Sequence, residues 1–373
     1  MNNRISFIRK VAVPATLTFL ALLLASCAQV PDGSLKQKES KALIFPPPPD
    51  EPRFVYERTI YGSGDVVSGD GDSVLKEILT GQSRRSEPLI KPYAVAVHRG
   101  RIFVSDSADR FVKAYDVPEG RAFKIGDDDN GRLVKPLGLD VDAEGNLYIA
   151  DATAKSILVY DRDGRYLRKL AGPNYFDRLS SVTVDRKGER VYVVDIGGVA
   201  SEQHRVRVFD AQSGKHLYDF GKRGKGPGEF NLPRDAAIGR DGQIYVVDGG
   251  NFRVQVFDAN GKYLQAFGSV GKQLGNFARP KEVATDREGN VYVIDSAFGN
   301  FQIFNPDGEL LMFIGDRSEQ DGPARYMLPS GIYVDEDGRI YAVDQWFRKI
   351  DVFRPYNMKH TDGWLGKRPV ARK

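Results

Sequence analysis

The chain has 373 residues, 41% of them hydrophobic, with 39 glycines, 17 tyrosines and 21 phenylalanines, which suits a turn-rich all-β protein with a full core. Its formal charge of +4 falls to about +1 without Arg4, Arg9 and Lys10, too little to indicate a nucleic-acid partner. The single cysteine, Cys27, excludes an intramolecular disulfide and leaves no thiol nucleophile or cysteine-containing zinc site in the body of the chain.

Residues 1–26 follow an export pattern: Arg4, Arg9 and Lys10 first, then the apolar run 11–24, then small residues before Cys27. About 14 apolar residues, interrupted by Pro14, fall short of the roughly 20 that span a bilayer. Leu24-Ala25-Ser26-Cys27 resembles the lipobox of bacterial lipoproteins. That resemblance implies cleavage before Cys27, acylation of its sulfur and freed amine, and stable anchoring by several acyl chains. Because Ala28 and not aspartate follows, it also implies the outer membrane. Residues 27–51 are expected to be a lipidated tether, polar and lysine-rich, ending in four prolines at 46–49 that favour polyproline II.

One phrase then recurs six times, an apolar strand ending in aspartate: Asp106, Asp151, Asp195, Asp248, Asp295 and Asp344. The spacings of 45, 44, 53, 47 and 49 residues match the period of a four-stranded propeller blade. Each repeat opens on a proline (Pro92, Pro136, Pro233, Pro280, Pro329), with Leu179-Ser180 standing in for the third. An Asp/Gly-rich hairpin turn follows the first strand, and the recurring phrase is the second. Third strands such as 254–258 and fourth strands such as 263–268 complete the unit, which cannot bury both faces alone and must stack. The sixth repeat lacks a fourth strand, while residues 54–62 have the fourth-strand pattern. The fold expected over 52–358 is therefore an all-β six-bladed propeller, closed by an N-terminal strand pairing with the last blade, with a basic tail at 359–373.

The pattern of Asp-x-x-Gly-Asn-x-Tyr-Val-x-Asp (286–295), Arg-x-Gln-Val-Phe-Asp (253–258), Gly-Lys and Phe-Gly resembles the NHL repeat across residues 52–356. The fourth repeat matches best, and the third departs through its missing proline and the extra residues 197–204. With the lipobox and proline tether, the whole resembles bacterial NHL-repeat lipoproteins.

In such a ring the loops after the fourth and second strands share one face. Tyr93, Arg234, Asp235, Lys281 and Glu282 start inner strands there, and blades four and five would place paired opposite charges at the channel mouth. They suit either a local ion-pair cluster or a site for a charged or hydroxyl-rich ligand. Phe252, Phe298, Trp346 and Phe347 fall in second-to-third-strand loops, as a binding patch or folded down onto neighbouring loops. Residues 72–81 read as a short amphipathic helix able to cover the mouth.

No cofactor is expected. The acidic loops 65–72 and 127–131 lack the complete spacing of a calcium site and suit turns. The six aspartates read as caps of their own loops, meeting a basic residue four or five positions on (Arg110, Lys155, Arg253, Arg348). His98, His204, His216 and His360 show no ligand spacing. The expected function is a membrane-anchored module binding an envelope protein or glycan through the loop face of blades four to six. The alternative is an extracytoplasmic propeller enzyme, hydrolase-, lactonase- or lyase-like and with or without metal, acting at the channel mouth.

Overall fold

The computed structural model describes residues 42–67, 86–198 and 200–366. The leader with Cys27, most of the tether, the helix expected over 72–81 and residues 367–373 lie outside the described residues.

Six antiparallel sheets follow one another within the compact unit Leu43–Lys373. Their first strands are Pro92–His98, Pro136–Val141, Leu179–Val184, Pro233–Ile238, Pro280–Thr285 and Pro329–Val334. Each packs beside the next, and the sixth packs beside the first, so they line the axis of a closed six-bladed propeller. The prolines open five of these strands because the first residue of an edge strand needs no ladder donor.

The repeated phrase forms the second strands: Arg101–Asp106, Leu147–Asp151, Arg190–Asp195, Ile244–Asp248, Val291–Asp295 and Ile340–Asp344. All their residues except Arg190 are buried. The two-residue period explains this. Ile244 and Val246 enter the hydrophobic cluster shared with blade three, whereas Tyr245 and Val247 enter the one shared with blade five. Six such clusters lie between successive blades, and each fully buried aliphatic or aromatic side chain contributes about 1.5–3 kcal/mol.

The loops entering blades four and five repeat one device. Gly221 and Gly268 take φ of 85° and 81°, and a Cβ there would meet the rings of the buried Phe230 and Phe277 at 2.2 and 2.3 Å. Glycine is required twice over, by the left-handed backbone and by the ring against it.

Closure occurs where the repeat pattern placed it. Phe54–Ile60 pairs antiparallel with Lys349–Pro355, from Phe54 opposite Pro355 to Ile60 opposite Ile350. The Glu57 carboxylate reaches Arg339 Nε at 2.8 Å, and Thr59 Oγ1 donates to Asp351 at 2.6 Å. A fifth strand was not foreseen. Ile44–Phe45 pairs with Val55 and Phe54, and the Phe45 ring packs edge-on to Phe353 at 5.7 Å. The end of the expected tether is thus part of the blade, and the prolines make the reversal, with Phe45-Pro46 and Pro48-Pro49 in cis instead of a continuous polyproline II run. The expected tail also begins later than residue 359, because Leu365 is 2% exposed in the cluster between blades six and one.

Candidate functional site

The repeated aspartates do more than cap their own loops. Asp151 accepts N–H groups from Thr153 and Ala154 in its own loop and from Val134 and Lys135 in the incoming one. Asp106 does the same for Ala108, Asp109, Ile90 and Lys91, and Asp295 for Ala297, Phe298, Ala278 and Arg279. Of the four basic partners expected, only Arg253 makes the ion pair, 2.9 Å from Asp248. Arg110, Lys155 and Arg348 instead occupy the left-handed turn position, with φ of 64°, 47° and 57°. Their backbones are needed to reverse the chain, which carries their side chains away from the carboxylate.

Each pinned loop ends on the residue before an inner strand, and in four blades that residue is basic: Lys91, Lys135, Arg178 and Arg279. All four are exposed and, among the described residues, none lies within ion-pair distance of a carboxylate. They were not singled out from the sequence, although their recurrence beside the opening proline was readable. Arg234 and Lys281 join them at the start of the next strand positions. Burial lowers the Arg234 guanidinium, with Tyr93 nearby and Arg178 and Arg279 adding repulsion. Burial likewise pulls the Lys281 ammonium down to about 8, with Glu282 opposing and Arg234 and Arg279 adding to the shift.

The paired charges expected at this mouth separate. Arg234 makes no ion pair with Asp235, nor Lys281 with Glu282; the cations stay on the loop side and the acids turn into the channel. Neighbouring strand residues face opposite ways, and the acids are claimed by adjacent blades. Asp235 accepts from Ser181 Oγ of blade three and from the Val283 N–H of blade five at 2.9 Å. Glu282 Oε2 accepts from the Ile332 N–H of blade six at 3.2 Å. Tyr93 stands between the two layers, its hydroxyl close to Glu282 and Asp235 as well as to Arg234 and Arg178, and burial holds it protonated.

Asp140, not singled out from the sequence, is the third channel acid. It accepts from Thr183 Oγ1 at 2.7 Å and the Val184 N–H at 3.0 Å, joining blades two and three. Burial drives all three carboxyls upward, Asp140 to about 6, Asp235 to about 7 and Glu282 well above its ordinary value. Beyond them a cavity of about 420 Å³ opens on the opposite face, that of the first hairpin turns, with Arg186, Arg287, Glu336 and Trp364 at its rim. Tyr93, Arg234 and Lys281 do not line it.

Of the expected aromatic patch, Trp346 is 62% exposed. Phe252 packs against the cluster between blades four and five, and Phe298 and Phe347 are half-buried, Phe347 beside the Lys349 ammonium at 5.7 Å. Val270 and Leu274, in the loop entering blade five, add exposed apolar surface on the same face as Trp346. In the acidic loops Asp65 caps Tyr61 and Gly62, and Asp128 accepts from the Asn130 N–H as in a turn, while residues 68–72 lie outside the described residues.

The histidines do not converge. His98 lies 3.2 Å from the Ala143 carbonyl, His204 is buried among Gly198, Phe230 and Leu232, and His216 pairs with Asp219 at 2.6 Å. Among the described residues there is no group of three or more His, Cys, Asp or Glu placed to hold a metal ion.

The NHL repeat family model matches residues 230–257, the unit of blade four. NHL repeat-containing protein 3 of Mus musculus is 36% identical over 86 residues, 23% of this chain and 24% of that protein; the Homo sapiens protein is 33% identical over the same length. The match thus spans about a quarter of these curated relatives. Among solved structures, a protein of unknown function from Bacteroides thetaiotaomicron superposes with a TM-score of 0.60 at 16% identity, over 81% of this chain and 76% of that one. A streptogramin B lyase superposes with a TM-score of 0.52 at 13% identity, over 73% and 95%. At such identities the structures attest the fold alone. Together the closed ring and these likenesses make the chain a six-bladed β-propeller that carries an NHL repeat in blade four.

Proposed function

We propose that the propeller is a binding module whose loop-face mouth recognises an acidic, carboxylate- or phosphate-bearing group on a glycan or protein of the cell envelope, to which Cys27 tethers it by a lipid anchor. The observation that carries this reading is the set of cations around the mouth, Lys91, Lys135, Arg178, Arg234, Arg279 and Lys281, that no carboxylate of the described residues pairs with. Like charges held together without counterions raise the free energy of the unliganded face, and an anion relieves it. Tyr93 offers a hydroxyl at the centre, while Trp346, Val270 and Leu274 supply apolar contact around it.

The test uses the full chain in detergent micelles with three polyanions: polygalacturonate, polyphosphate and polyglutamate. Neutral dextran serves as the control. At least one polyanion should bind, weakening with added salt as exposed ion pairs are screened. Arg234→Ala combined with Lys281→Ala should weaken it by about tenfold or more, near 1.4 kcal/mol, whereas Arg240→Ala on the other face should not. Equal binding by the double variant, or no preference over dextran, would defeat the reading. The polyanion preferred separates carboxylate from phosphate and glycan from protein.

A further inference from the structure

The cavity on the turn face has a polarity that the loop-face reading leaves unused. Its depth is acidic: Asp140, Asp235 and Glu282 line it, and none of them makes an ion pair with a described cation. Glu282 is only 6% exposed, yet its Oε1 has no hydrogen-bond partner among the described residues, because Oε2 alone meets the Ile332 N–H. The Tyr333 hydroxyl, on the inner strand of blade six, also lines the cavity with no described partner. Its mouth carries Arg186 and Arg287, both exposed and outside ion-pair distance of a described carboxylate, and the Arg99 guanidinium over the Trp364 ring at 5.6 Å; Glu336, at the same rim, accepts from the Arg99 N–H.

We propose that this cavity is a second binding site, separate from the loop-face mouth, for a small zwitterion that enters with a primary ammonium group innermost and leaves its carboxylate at Arg186 and Arg287. Its volume, about 420 Å³, lies in the range of small-ligand pockets. Buried carboxyls out of ion-pair contact with any described cation are poorly solvated as anions, and a bound ammonium supplies a positive charge at contact distance. A metal ion is a poor fit, since the acids are spread around the ring and fastened to different blades.

The length of the ligand follows from the strand geometry. Thr183 hydrogen-bonds Asp140 and so marks the acidic level, and Arg186 lies three residues further along the chain, in the turn just past the strand Leu179–Val184. At about 3.3 Å per residue, the Thr183 and Arg186 backbones stand no more than about 10 Å apart, which sets the scale of separation for the ligand's charged ends. An extended tripeptide has that reach, which makes the site suited to the free amino terminus of a short peptide or an amino acid of similar length.

Calorimetric titration of the full chain in detergent with triglycine, N-acetyltriglycine and triglycinamide tests the assignment. Triglycine should bind; acetylation, which removes the ammonium, should weaken binding by about tenfold or more, and amidation, which removes the carboxylate, by several fold. Glu282→Gln keeps an acceptor for the Ile332 N–H and should reproduce the effect of acetylation on triglycine affinity. Arg186→Ala with Arg287→Ala should reproduce that of amidation. Arg234→Ala, on the other face, should change nothing; a loss there would place the peptide at the loop-face mouth and overturn the assignment. So would equal affinity for the acetylated peptide, or no triglycine binding up to about 10 mM.

Discussion

Glu57→Ala should destabilise the protein by about 3–5 kcal/mol, because it leaves the guanidinium of Arg339 buried without its carboxylate. Glu57 lies on the N-terminal strand that closes the ring, and its side chain is 2% exposed; that of Arg339 is 0% exposed and 2.8 Å away. Arg339 also donates to the Asp362 carbonyl and lies 3.5 Å from Asp337, but neither contact neutralises it as directly. The clasp has no disulfide behind it, so the loss should loosen the closing strand first. Urea unfolding should show the lower stability, and hydrogen exchange should speed up in Phe54–Ile60 and Lys349–Pro355 ahead of the other blades. The double variant Glu57→Leu/Arg339→Met should recover part of the loss, since removing both charges abolishes the desolvation penalty that either single change exposes. A cost below about 1 kcal/mol for Glu57→Ala would show that ladder hydrogen bonds and packing hold the ring without the pair.

The ring itself was legible because the repeat carries two periods at once. Alternation within Ile244-Tyr245-Val246-Val247 assigns each side chain to one of two neighbouring blades, and the recurrence of the phrase counts those blades. The N-terminal strand could be placed because blade six visibly lacked one. The site was less legible. Arg234-Asp235 and Lys281-Glu282 suited either local ion pairs or a ligand site, and the sequence could not show that each carboxylate is claimed by donors on other blades, Ser181, Val283 and Ile332, more than forty residues away. Asp140 looked like one more strand residue in blade two, and only closure of the ring brings it into a common channel with Asp235 and Glu282. The fifth strand, Ile44–Phe45, was hidden by its own prolines, whose composition argued for a tether while their reversal folds the chain back onto the blade.

Stability should fall as the pH rises from about 4 to about 7, the reverse of the usual behaviour of acid-labile proteins whose carboxylates are ion-paired. Burial lifts Asp140 to about 6 and Asp235 to about 7, and Asp335, enclosed beside the Tyr341 hydroxyl, also reaches about 7. Unfolded, such groups titrate near 3.9. Below that pH both states hold the proton and the stabilisation is complete. Above it the unfolded chain ionises freely while the folded one must keep the proton or bury a charge, so stability is lost until the folded group also titrates. Each unit of displacement corresponds to about 1.4 kcal/mol, giving roughly 3 kcal/mol for Asp140 and roughly 4 for Asp235, with their sum reduced because the two repel through one channel. Asp235→Asn isolates the effect. An asparagine can accept the Val283 N–H through its oxygen and donate to Ser181 Oγ through its amide, so both fastenings of the inner strands survive without a titrating group. Urea midpoints measured between pH 4 and pH 8 should therefore fall less steeply for Asp235→Asn, and at pH 8 the variant should be the more stable protein. Parallel curves for the two proteins would mean that Asp235 is already ionised and compensated in the channel, and the cavity would then have no missing positive charge to supply.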